Sequence, residues 1–280
     1  MARHRFRLLN VFAESPLSGN ALSVFEDGRG LSDEQMQGLA LQFNLSETTF
    51  LFPSRLATSR VRIFTPTFEM PFAGHPTLGS AHVVRSLLNT GDSVTLDMEA
   101  GVIPVTASGD VWTFQARAPT TRPARATAAQ IAAMLGIDEG DVGAGVMWVD
   151  TGSEQLVVPL RSPEVVAQCH PDPKLLARDA SNARRDGLAY VWARDGDGGV
   201  VARFFFLKHG SVVEDPGTGS ACANLGGWLV ATGGPLPAAL TIQQGESTGR
   251  LCRLGLRVDA DKRIFVTGKV IQIATGDLTL

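Results

Sequence analysis

Two short stretches of this 280-residue chain carry the same letters around residues able to move protons. HPTLGSA runs from His75 to Ala81 and DPGTGSA from Asp215 to Ala221, so a His or Asp followed by P-x-x-G-S-A recurs after 140 positions. Each reads as a strand-to-helix turn with small residues at the helix start. Backbone N–H groups exposed there lie at the positive end of a helix dipole, which suits a carboxylate or phosphate. Gly74, Gly79, Gly217 and Gly219 would let a ligand approach the backbone closely. One copy alone reads as an ordinary tight connection in which Ser80 or Ser220 satisfies local backbone groups. Two copies in related halves argue for two helix ends aimed into one cleft. His75 and Asp215 head the turns, where each could cap its helix, most readily Asp215. Either could also donate, accept or pass a proton near neutral pH. Glu47, in NLSETTFLF, is a third candidate, a carboxylate just before a strand that reads as buried. It is either a loop residue in water or a partly desolvated base with a raised pKa, and residue chemistry alone favours water.

The elements that must hold these residues repeat as well. The first half reads as strands FRLLNVF and ALSVF, then a helix opened by Ser32 with Gln35 at capping-box spacing and Met36, Leu39, Ala40 and Phe43 on one face. Strands TTFLF and RVRIF follow, then the FAGHPTLG turn and a helix with Pro76 in its first turn, where a missing N–H costs nothing. The stretch from Ala116 to Ala129 has no apolar periodicity and reads as the boundary between domains 1–120 and 121–280. Thr127 and Gln130 repeat the capping box. The second half then runs through VMWVD, the turn TGS, QLVVPL, LAYVWA, VVARFFFL, EDPGTGS and the helix ACANLGGWLVA. TGSEQLVV echoes SGNALSVF. This is duplication of one α/β unit rather than an array. The last strand either completes the second sheet or returns to the first domain.

Composition narrows the function. With 44% hydrophobic and 19% charged residues the chain can bury a sizeable core, and a net charge of −3 gives no reason to expect nucleic acid. RFRLL and SNARRDG read as solvated surface. No apolar run reaches membrane-spanning length, and no signal-peptide core precedes the first strand. Cys169, Cys222 and Cys252 are an odd count without C-x-x-C spacing, which argues against disulfides or zinc and places the chain in a reducing cytoplasm. Cys222 reads as a small buried hydrophobe and His170 as a loop residue. Phosphate-loop, dinucleotide, metalloprotease and serine-hydrolase motifs are all absent.

FTPTFEMPFAGHPTLG, NLSETTFL, SGNALSVF and EDPGTGSA together resemble the phenazine-biosynthesis isomerase-like (PhzF-like) family within the diaminopimelate epimerase fold, in order over nearly the whole chain. The resemblance implies an α/β (α+β) fold of two pseudo-symmetric domains. Each would be a barrel-like, mostly antiparallel sheet around a central helix, with the active site in the cleft between them. It implies a cofactor-independent, metal-free isomerase of a small carboxylate-bearing substrate, commonly a homodimer. Carried over to this chain, Glu47, His75 and Asp215 would be catalytic, with Glu47 moving the proton. Asn20, Gly74, Thr218, Gly219 and Ser220 would bind substrate. Two-cysteine racemases share the superfamily, but their thiol positions match Ala73 and Asp215 here, so two-thiol chemistry is not expected. Glu47 has no counterpart in the second half. That asymmetry suits a proton shift between two carbons better than epimerisation at one, the alternative within enzymes, and the three candidates together weigh against a non-catalytic binding protein. SGNA stands where the family often has GNP, and TGRLC where a GRPS-like segment is common, so the substrate stays open.

Overall fold

The computed structural model describes residues 2–182 and 187–280, so most of SNARRDG lies outside the described residues. The chain divides into two compact units, one up to Gln115 together with Thr267–Leu280, the other Ala116–Val266.

The first unit contains β1 (Arg3–Val11), β2 (Asn20–Phe25), α1 (Asp33–Phe43), β3 (Glu47–Phe52), β4 (Ser59–Phe64), β5 (Glu69–Met70), α2 (Gly74–Leu88), β6 (Ser93–Met98), β7 (Gly101–Ser108) and β8 (Val111–Gln115). The second contains β9 (Thr120–Pro123), α3 (Ala128–Leu135), β10 (Met147–Asp150), β11 (Glu154–Pro159), α4 (Pro163–Gln168), α5 (Pro173–Asp179), β12 (Leu188–Arg194), β13 (Val200–Lys208), β14 (Ser211–Asp215), α6 (Gly219–Ala231), β15 (Ala238–Gln244) and β16 (Cys252–Val258). The final strand, β17 (Ile264–Thr279), starts in the second unit and runs into the first.

Eight strands of the first unit pair in the closed order β1–β2–β3–β4–β6–β7–β8–β17, with β17 returning antiparallel to β1. Closure leaves no unpaired sheet edge. Helix α2 packs against β1, β2, β3, β4, β6, β7 and β8, so it fills the barrel. Its residues from Gly74 to Ala81 are all buried, which explains why its sequence is small and apolar rather than amphipathic. Strand β3 is covered on both faces. Thr49 receives a hydrogen bond from Ser80 of α2 at 3.0 Å, while Phe50 stacks on Phe25 at 4.8 Å in a cluster with Met36, Leu39 and Ala40 of α1. Two-sided burial makes ETTFLF read as a continuous run instead of an alternation. Burying each large apolar side chain there contributes roughly 1.5–3 kcal/mol.

The second unit repeats the plan. Its pairings β10–β11, β11–β12, β12–β13, β13–β14, β13–β15 and β15–β16 run antiparallel, parallel, antiparallel, antiparallel, parallel and antiparallel. The same order of senses holds for β1–β2, β2–β3, β3–β4, β4–β5, β4–β6 and β6–β7. Both expected capping boxes form, at Ser32 and at Thr127. The stretch read as the domain boundary begins where the second unit begins, at Ala116, and contains β9, paired antiparallel with β10. Its side chains are exposed or half-buried, so a strand held by backbone bonds leaves no apolar period to read.

Gly79 also has a different reason from the expected one. A Cβ there would lie 2.4 Å from Leu22 Cδ2, and Leu22 is fully buried, so this glycine admits strand β2 against α2 rather than a ligand.

Candidate active site

β2 and β3 run parallel with Leu22 opposite Glu47, so Asn20, Ala21 and Glu47 share one end of the first barrel. The first turn of α2 brings His75 to the same end. His75 Nε2 lies 3.2 Å from Glu47 Oε2, with side-chain exposures of 5% and 14%. Glu47 is therefore not the solvated loop carboxylate that residue chemistry favoured. The two atoms are within reach of each other but not in hydrogen-bonding geometry. The other ring nitrogen, Nδ1, is 3.5 Å from Asn20 Nδ2, and the ring also hydrogen-bonds the backbone of Ala21.

Burial pushes the His75 pKa down to about 3, with the Ala21 bond opposing weakly. The imidazole is therefore neutral. The neutral ring turns Nδ1 to Asn20 and Nε2 to Glu47, one of the two carrying its single proton. The same burial makes stability depend on pH. The unfolded histidine takes up a proton near pH 6.5 and the folded one only near 3, so the contribution is complete above about 6.5 and is lost as pH falls toward 3. At pH 4 the loss from this one group is roughly 3 kcal/mol. Unfolding free energies in urea at pH 7 and pH 4 should therefore differ less for His75→Gln than for the unsubstituted protein. Equal pH slopes would contradict the assignment of a buried neutral His75.

In the second unit Asp215 is the last residue of β14, and α6 begins four residues later at Gly219. Asp215 Oδ2 accepts a short hydrogen bond from Thr218 Oγ1. Gln244, buried at the end of β15, donates to the Asp215 carbonyl at 2.8 Å and to Thr218 Oγ1 at 3.0 Å, and accepts from the Thr218 backbone at 3.3 Å. Sequence reading passed over Gln244. Its signal is period-2 placement, because it falls on the same face as buried Ile242 and is thus a polar residue on a core face. Ser220 Oγ accepts from Gln155 Nε2 at 2.9 Å, so it serves a side chain from another strand and not the local backbone.

The helix starts correct the reading of the repeat. The N-caps are Ala73 and Thr218, neither with a side-chain cap, and the first helical residues are Gly74 and Gly219. Neither His75 nor Asp215 therefore occupies an N-cap position. By helix position, Ala73 matches Thr218, Gly74 matches Gly219 and His75 matches Ser220. Ala73 and Asp215, where the resemblance placed the superfamily's two thiols, are not cysteines. Among the described residues no cluster of three or more His, Cys, Asp or Glu side chains could hold a metal ion. No helix among them is long and apolar enough to cross a membrane.

A closed barrel around a helix, with its strand order repeated in a second unit, is the architecture of diaminopimelate epimerase-like enzymes. The solved structure of a Bacillus anthracis PhzF-family phenazine biosynthesis protein shares it, with a TM-score of 0.87 at 21% identity over 100% of both chains. An uncharacterized isomerase of Pasteurella multocida is 39% identical over 98% of this chain and 94% of its own. The trans-2,3-dihydro-3-hydroxyanthranilate isomerase of Pseudomonas aeruginosa is 32% identical over 98% of each. The model of the phenazine biosynthesis-like family matches residues 9–276, so the chain belongs to that family and is an isomerase.

Proposed function

We propose that the protein moves a proton between two carbons of a small carboxylate-bearing substrate without a cofactor, with Glu47 as the acid and base. The buried pair of Glu47 and neutral His75 carries this reading. As carboxylate, Glu47 takes a proton from a carbon beside an unsaturated system, and the electron pair left behind spreads over that system. Glu47, now neutral, is held in place by His75, whose Nε2 lies 3.2 Å from its Oε2. It then returns the proton to the far end of the conjugated system, so one C–H bond breaks, another forms and no electrons are exchanged with a second reagent. His75 binds a proton too weakly to keep it. Asn20 orients the imidazole. The N-termini of α2 and α6, with Gly74, Thr218, Gly219 and Ser220, supply donors for anionic oxygen, and Asp215 positions the substrate.

The test is exchange in deuterated water over a panel of unsaturated and α-amino carboxylates that includes trans-2,3-dihydro-3-hydroxyanthranilate. Deuterium at a new carbon with a shifted double bond is the expected result. Deuterium at one inverted stereocentre would instead assign an epimerase, and no exchange with any member would end the proposal.

The proposal needs no thiol. Burial pushes Cys169 up to about 12 and raises Cys222 and Cys252 further from ionisation. Replacing all three by alanine should leave turnover within about twofold, since none can supply a thiolate at neutral pH, while cavities lower the melting temperature. A Cys222→Ala protein that folds but does not turn over would revive thiol chemistry. A reducing cytoplasm and a homodimer complete the proposal, the latter checked by analytical ultracentrifugation.

A further inference from the structure

Behind Ser220 lies a buried chain of amides whose direction can be worked out without ambiguity. The Thr151 backbone N–H and Oγ1 donate to Asn224 Oδ1 at 2.9 and 2.7 Å. Asn224 Nδ2 donates to the Ser153 carbonyl at 2.8 Å and to Gln155 Oε1 at 2.9 Å. Gln155 Nε2 then donates to Ser220 Oγ at 2.9 Å. Gln155 is 2% exposed, Asn224 0% and Thr151 5%. Amide orientations are usually open to a flip, but here two backbone groups fix them. Thr151 N–H can only donate and the Ser153 carbonyl can only accept, so a flipped Asn224 would set donor against donor and acceptor against acceptor. With Asn224 fixed, Gln155 must turn Oε1 toward it and Nε2 toward Ser220.

Ser220 Oγ is thereby an acceptor on its protein side, and its single proton remains to be given away. Ser220 and Asn224 are four residues apart on one face of α6, so the helix itself carries both ends of the chain. We infer that Gln155 and Asn224 are positioning residues that fix the Ser220 hydroxyl as a hydrogen-bond donor toward an anionic oxygen of the substrate. This rests on the proposed function, in which the start of α6 receives a carboxylate.

Two substitutions reverse the chain. In Gln155→Glu, Asn224 Nδ2 holds one carboxylate oxygen and the other draws the Ser220 proton inward. In Asn224→Asp, the new carboxylate claims Gln155 Nε2, so Gln155 turns Oε1 toward Ser220 with the same result. Gln155→Met removes the donor without adding charge. The probe is anthranilate, a planar carboxylate, titrated by calorimetry into each protein after its melting temperature has been checked.

Ser220→Ala, Gln155→Glu and Asn224→Asp should each weaken binding by about tenfold or more, the range of a hydrogen bond to a charged group, and Gln155→Met by less. The deciding readout is the double substitution. In the Ser220→Ala background, Gln155→Glu and Asn224→Asp should weaken binding no further, because they act through that hydroxyl. Additive losses would show that they act through charge or folding and would overturn the inference. So would unchanged binding in all three Gln155 and Asn224 variants while Ser220→Ala weakens it, a result that leaves the anion site standing. If Ser220→Ala binds anthranilate as well as the unsubstituted protein, or if the unsubstituted protein binds none, the anion site at α6 falls and this inference with it.

Discussion

Turnover should fall by at least about 100-fold when Glu47 is replaced by glutamine, the scale that a positioned general acid–base group supplies. Glutamine keeps the volume and presents hydrogen-bonding atoms toward His75, but it cannot take a proton from carbon. Because His75 is already neutral, removing the charge of its neighbour leaves no buried cation behind. The melting temperature should therefore move little, and the loss should appear in kcat rather than KM. Solvent-deuterium uptake should drop in step with kcat, since both measure the same proton. Near-normal turnover in a folded Glu47→Gln protein would remove Glu47 from the chemistry and end the proposed mechanism.

The largest expected effect on stability lies in the second unit, at Arg203. Its guanidinium grips Glu214 through Nε at 3.1 Å and Nη2 at 2.7 Å, and Nη1 donates to the carbonyls of Val166, Ala167 and Cys169 at 3.2, 3.1 and 2.8 Å. It also lies 4.7 Å from the centre of the Phe205 ring. Side-chain exposures are 11% for Arg203 and 13% for Glu214. Arg203→Met would leave Glu214 buried without its cation and leave the C-terminal end of α4 without its donor. The expected cost is about 3–5 kcal/mol, as for other broken buried pairs, measured by urea unfolding. The double substitution Arg203→Met with Glu214→Leu should recover much of that, because the penalty is the stranded charge. A single-variant loss under about 1 kcal/mol would show that water reaches the pair and that it behaves as a surface bridge.

The first unit contains the same device in a wetter form. Arg62 grips Glu69 at 2.7 and 2.6 Å, lies 5.1 Å from the Phe64 ring, and sends its third arm to Asp33 at 2.6 Å. Phe64 pairs with Glu69 as Phe205 pairs with Glu214, so each arginine reaches diagonally across its hairpin. Glu69 and Glu214 each stand five residues before the glycine that opens the following helix. Each pair thus ties down the strand that leads into a proposed binding turn.

That spacing marks where the sequence was sufficient and where it was not. The repeat, both capping boxes and the three chemical candidates were legible because they depend on local chemistry: a hydroxyl three residues before an amide, or a carboxylate near apolar residues. The alignment of the two halves was not. Letters match best when His75 is set against Asp215, 140 positions on, yet the helices open 145 positions apart, at Gly74 and Gly219. The hairpin loop from Phe64 to Glu69 is shorter than that from Phe205 to Glu214, and a loop of different length slips the register of everything after it. The state of Glu47 was equally out of reach, since burial beside a histidine 28 positions later depends on where β3 and α2 meet. The return of β17 to β1 could not be read either, because β17 would satisfy its backbone bonds in either sheet. Residue type and local spacing therefore determined which groups could do chemistry. Only the tertiary fold decided which of them meet, which lose their water and which way their protons point, because desolvation and hydrogen-bond direction are set by neighbours distant in the chain.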